Sequence, residues 1–148
     1  MNKKFLIFML LLLKFSIVEA QYKVENIQEC GENNPYSELR VEKLNFEYAK
    51  KVKYYLDEAI DAYRQEDMET SAYHFDKAFE YYYAMCPKHQ QKFEGMEDNY
   101  TVYVLAKRKS NASFEDCIKI INEAIKRGYD SPNILKLKKV IETEKNGG

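Results

Sequence analysis

Apolar residues along most of this chain recur at steps of three and four, and nowhere beyond the leader does a long stretch alternate with period two. That spacing lays side chains along one face of a helix and leaves no strand to build a sheet from. Leu39, Leu44, Tyr48, Val52, Tyr55, Leu56, Ala59 and Tyr63 mark one face of a helix reaching about residue 65. A single long helix and a pair broken near Asn45 both fit this pattern, with Ser37 as the expected cap. Met68, Ser71, Ala72, Phe75, Ala78, Phe79 and Tyr82 mark a second helix, which Pro87 stops. Residues 88–98 read as a loop. Tyr100, Val102, Tyr103, Leu105 and Ala106 open a third helix, ending by Ser110-Asn111. Ser113 caps a fourth, with Glu115 and Asp116 in the first turn where the helix dipole favours acids, and Gly128 ends it. Ser131-Pro132 starts a fifth, bearing Ile134, Leu135, Leu137 and Ile141. With 5 glycines and 3 prolines in 148 residues, turns are too scarce for a many-stranded sandwich or barrel. The expected fold is all-α.

The amino-terminal residues are expected to serve as an address. Lys3 and Lys4 precede the unbroken apolar run of residues 5–13, and Val18-Glu19-Ala20 supplies small residues where a signal peptidase reads. The run is shorter than the roughly 20 residues of a spanning helix. Residues 1–20 are therefore expected to be cleaved, and the chain to be exported, periplasmic or secreted. No cysteine at the junction offers a lipid anchor. Residues 21–36 form a polar lead-in, residues 37–145 the helical domain and residues 146–148 a tail. Removing Lys3, Lys4, Lys14 and Glu19 leaves a net charge of −3, which favours neither nucleic acid nor an anionic membrane surface.

A shift of 46 residues lays Met68 on Phe114, Ser71 on Cys117, Phe75 on Ile121, Ala78 on Ala124 and Phe79 on Ile125. This spacing of large, small, bulky and alanine residues resembles the second helix of a tetratricopeptide repeat (TPR). The stretch from Phe114 to Pro132, with Gly128-Tyr129, carries the resemblance furthest. It covers about residues 52–145, two repeats plus a terminal helix, with the family's corner glycine absent near Glu66 and Ala112. The resemblance implies antiparallel helix pairs stacked as a short right-handed α-solenoid, with the outer helices as caps. It also implies a concave face that grips an extended peptide. On this chain that face would carry Tyr55, Tyr63 and Tyr103, with Lys107 on a basic rim that Arg108, Lys109, Lys126 and Arg127 extend.

Three cysteines in an oxidising compartment allow one bridge and one free thiol, or no bridge. Cys117 takes a small-residue slot on an inner helix face, so core packing is its expected role. If the two matching helices run parallel, as the repeat implies, Cys86 lies at the far end from Cys117. Cys30 with Cys86 is then the better pair, because the lead-in can fold back over that helix end.

Catalytic chemistry finds little support. No serine has a histidine and an acid in a known arrangement, and phosphate-cradling glycine loops are missing. Cys86 and His89 have ligand spacing, but His74 is the one other histidine, so no tetrahedral metal set forms. Glu66-Asp67 and Glu115-Asp116 sit where capping explains them. Asn99 and Asn111 head glycosylation sequons. The expectation is a protein- or peptide-binding module with no catalytic, metal or cofactor site. A secreted, disulfide-stabilised helical bundle with a structural or effector role is the competing reading.

Overall fold

The computed structural model describes residues 23–147, and the leader expected over residues 1–20 lies outside them. Among the described residues six helices follow one another: α1 (Pro35–Arg64), α2 (Met68–Ala84), α3 (Pro87–Gln90), α4 (Met96–Lys109), α5 (Phe114–Lys126) and α6 (Pro132–Lys145). No strand occurs among the described residues. α1 packs on α2, α2 on α4, α4 on α5 and α5 on α6, with further contacts between α1 and α4 and between α4 and α6.

The start of α1 corrects one expectation. Asn34, not Ser37, is the cap: its side chain accepts from the Tyr36 amide at 3.0 Å, and Pro35 takes the first helical position. α1 then runs unbroken for 30 residues, about 45 Å. Its inward register is Val41, Asn45, Val52, Leu56, Ala59 and Ala62. Leu39 is out of phase with that register and lies 75% exposed, while Leu44, in phase with Ala62, sits at the edge of the register and stays 38% exposed.

Asn45 is fully buried, and it is a strut instead of a break. Its Nδ2 donates to the Val41 carbonyl at 2.8 Å, one turn back on the same helix. Its Oδ1 accepts from the Cys86 amide at 2.9 Å, tying α1 to the end of α2. Forty-one residues separate the partners, so periodicity alone cannot reveal the bond. At the other end of this antiparallel pair the buried Ser71 hydroxyl donates to the Ala59 carbonyl at 2.8 Å. A small polar side chain there lets the two backbones approach closely and satisfies its own hydroxyl.

The helix corners share one geometry. The carbonyls of Ala62, Lys107 and Ala124 accept from the amides of Asp67, Ala112 and Tyr129 at 3.0, 2.9 and 3.0 Å. This closure needs a left-handed residue just past the helix. Glu66 (φ 61°), Asn111 (φ 66°) and Gly128 (φ 89°) supply it, so two corners lack glycine yet take the turn that glycine favours. Asp67 and Ser113 then cap α2 and α5 identically, accepting from the amides three residues on at 3.1 Å each.

Residues 88–98 are more ordered than a loop. α3 is held by Gln90, whose Nε2 donates to the Met85 carbonyl at 2.7 Å, and α4 begins at Met96 after Gly95 in the left-handed region. The lead-in lies across the first half of α1 and the end of α2, where the Ile27 amide donates to the Ala84 carbonyl at 3.0 Å and the Tyr48 hydroxyl to the Glu25 carbonyl at 3.0 Å. A disulfide joins Cys30 to Cys86, with Cα atoms 5.6 Å apart. Cys117 is free and buried on α5.

Candidate functional site

The four residues of the expected peptide-binding face fall into three separate contact sets. Tyr103, 7% exposed, stacks on Phe79 (4.8 Å between ring centres) and Phe75 (5.4 Å), and its hydroxyl donates to Asp76. Lys107, one turn along α4, reaches the same carboxylate at 2.9 Å. Tyr55 packs against His74 and Tyr81 of α2, at 5.9 and 6.0 Å. Tyr63, at the end of α1, receives Lys109, whose Nζ donates to the hydroxyl at 3.2 Å. The structure brings Tyr103 and Lys107 together on Asp76. Arg108 of the basic rim is also engaged: it pairs with Glu144 at 3.1 Å and lies over the Phe114 ring.

Arg127 lies within an aromatic cluster. Its Nε donates to Glu123 at 2.7 Å, it bonds Gln90, and its guanidinium stands 4.5 Å from the centre of the Tyr83 ring. The Tyr83 and Tyr100 hydroxyls meet at 2.8 Å, and those of Tyr82 and Tyr129 at 3.5 Å. Burial pushes the Tyr83 phenol up to about 12, against the lowering pull of the Tyr100 hydrogen bond and Arg127. Burial, as the largest cause, drives Tyr82, Tyr100 and Tyr103 further in the same direction. These phenols are neutral at pH 7 and offer no base. The Cys117 thiol, raised by burial, is likewise a poor nucleophile.

An alkaline titration should expose this cluster. A phenol whose folded pKa exceeds its unfolded value keeps its full contribution to stability below about pH 10. That contribution is lost as pH rises toward 12, because only the unfolded chain ionises in that window. Tyrosinate absorbance from Tyr82, Tyr83, Tyr100 and Tyr103 should therefore appear only well above pH 10, together with loss of helical circular dichroism. A single smooth rise near pH 10 with helix intact would show that these rings are accessible.

A different concavity is open to solvent. A groove of about 360 Å³ is lined by Glu42, Asn45, Phe46 and Ala49 of α1, Met85 at the end of α2, His89 of α3, and Lys92 and Phe93 beyond it. Local sequence explains its shape. Pro87 turns the chain after α2 and starts α3 across the flank of the much longer α1. Phe46 is 61% exposed, with Lys50 Nζ 4.5 Å from its ring centre. Lys88 and His89 both reach Glu42 Oε1, at 2.9 and 3.1 Å. Lys88 in first place, opposed by partial desolvation and aided by His89, holds that carboxyl below its usual range. Lys92 has no ion pair among the described residues. The groove thus joins an apolar floor to a rim with one unengaged cation. Phe46 escaped the sequence reading because it is out of phase with the buried register of α1. That same phase is the signal that would have flagged it.

Among the described residues, no helix is long and apolar enough to cross a membrane, and no group of three or more His, Cys, Asp or Glu side chains is placed to hold a metal ion. Comparison with protein-family models, with curated proteins and with solved structures returns no match.

Proposed function

We propose that this chain is an exported, non-enzymatic, TPR-like module that holds a segment of another protein or peptide in the groove beside the first half of α1. The observation that carries the reading is the half-exposed Phe46 beside an apolar floor of Ala49 and Met85. An aromatic left open next to a concave apolar surface is the usual anchor of a binding site. Lys92, without an ion pair among the described residues, and Lys50, over the Phe46 ring, favour a ligand with one large apolar side chain flanked by Asp or Glu. The TPR-like arrangement is supported by the order of helix contacts, in which the five longer helices each pack on the next and α1, α4 and α6 meet in turn, and by the matched burial of Ser71 with Cys117 and Phe75 with Ile121.

A secreted, disulfide-stabilised bundle with a structural or effector role is the second reading. The Cys30–Cys86 bridge and the internally satisfied tyrosines favour it.

Selection of a random displayed peptide library on the purified protein tests both. Enriched peptides should share an apolar anchor with acidic neighbours. They should bind Ala49→Phe, which fills the groove from within, at least tenfold more weakly, with circular dichroism unchanged. Binding that survives Ala49→Phe but is lost in Tyr55→Ala or Tyr63→Ala would return the site to the tyrosine face implied by the repeat resemblance. No enriched motif would leave the bundle reading ahead.

A further inference from the structure

The outer face of α1 carries a second row of large side chains, apart from the buried register. Tyr36 is 89% exposed, Leu39 75%, Phe46 61% and Tyr54 54%, and Lys43 and Lys50 on the same row are exposed too. From Tyr36 to Leu39, Lys43, Phe46 and Lys50 the steps are three, four, three and four. That alternation keeps a row turned toward one straight neighbouring helix. It holds over about 21 Å from Tyr36 to Lys50, and Tyr54 follows one turn later on the same face. Leu39 at this exposure has no packing role among the described residues, and four such residues on one helix face exceed the scattered surface apolars that need no explanation.

We propose that this face is covered by α1 of a second copy of the chain, running antiparallel. Charge decides the direction. In a parallel two-fold pair, Lys43 and Lys50 would each meet their own copy, and like charges in the seam repel. In the antiparallel pair, Lys43 lies opposite Phe46 of the second copy and Lys50 opposite Leu39. The ammonium groups then sit over or beside apolar side chains, the contact that Lys50 already makes with Phe46 within one chain. On the flank of the row, Arg40 is paired with Glu29 and Glu47 with Lys50 inside the chain, so the direction of the seam rests on where the two lysines fall.

Area sets the strength. The exposed portions of these four residues and the lysine stems amount to on the order of 500 Å² per chain, so about 1,000 Å² in the pair. That is the lower bound for a specific interface, so the dimer is weak and reversible.

Sedimentation equilibrium of the purified protein over a wide dilution series is the first test. The weight-average mass should rise from one chain toward two. Leu39→Glu should shift the transition to at least tenfold higher concentration with unchanged helix content. Phe46 belongs to both the groove and this seam, so a second copy and a bound peptide compete for it; Leu39 does not line the groove, and a monomeric Leu39→Glu chain that binds selected peptides at least as tightly separates this proposal from the groove reading. Direction is read by oxidative cross-linking. Mixed Leu39→Cys and Lys50→Cys chains should link to each other, while Leu39→Cys alone should not link to itself. A monomer at every concentration, a dimer indifferent to Leu39→Glu, or self-linking of Leu39→Cys would each overturn the proposal.

Discussion

Replacing Cys30 and Cys86 together by serine should cost about 4 kcal/mol of unfolding free energy. The bridge spans 56 positions of sequence, a loop that holds all of α1 and α2. In the reduced unfolded chain that loop is free, and the entropy of closing it is the main term the disulfide removes. The folded state contributes as well, because the strap of residues 23–30 has few other ties. Beyond the bridge these include the Ile27 amide on Ala84, the Tyr48 hydroxyl on Glu25 and the ion pair of Glu29 with Arg40. The loss should appear as a melting midpoint lower by about 10–20 °C and a lower urea midpoint, with most native helix retained at 25 °C. Adding a thiol reductant to the unaltered protein should reproduce the shift, the dithiol reagent being oxidised as Cys30 and Cys86 become thiols. A loss below about 1 kcal/mol would mean that the reduced unfolded chain already holds the strap near α2.

How far such contacts could be read from the sequence depended on how local their causes are. Met68, Phe114 and Pro132 begin their helices where expected, because the cap and the first apolar residue are adjacent in the chain. Ser37 is the expected cap of α1, although Asn34 followed by proline is equally a cap and a first helical position, and that is the pair the helix uses. α3 has four residues and no period of its own, and what fixes it is Gln90 bonded to Met85 and Arg127. The tyrosines show the same division. Their number was plain, but the acceptor for Tyr103 lies 27 residues away on α2, and only folding reveals that its hydroxyl is engaged. The groove was illegible for a related reason. Its walls come from α1, the end of α2 and the segment after Pro87, and nothing in the periodicity of α1 alone says which residues those distant segments flank.

Asn45 concentrates this lesson, and its replacement should have the second largest effect. Asn45→Ala removes the acceptor of the Cys86 amide, the donor to Val41 and buried volume, all at a position with no solvent exposure. An amide left unpaired in the interior costs about 1–3 kcal/mol, and the cavity adds to it, so the expected loss is about 2–4 kcal/mol. Asn45→Leu restores the volume but not the acceptor and should recover only part of the loss. Asn45→Asp separates the roles by pH. Its carboxylate keeps the acceptor for Cys86 but is charged and cannot donate to Val41, whereas the protonated acid can do both. Burial raises the folded pKa of such an acid, so this variant should gain stability as pH falls toward the unfolded value near 4 and lose it as pH rises. Equal stability of the three variants at neutral pH, with no acid recovery of Asn45→Asp, would reduce Asn45 to filler. Because the strut and the disulfide meet at Cys86, their losses should also fail to add. Cys30→Ser combined with Asn45→Ala should depart from the sum of the single changes by more than 0.5 kcal/mol. If it did not, the end of α2 would be held by contacts other than these two.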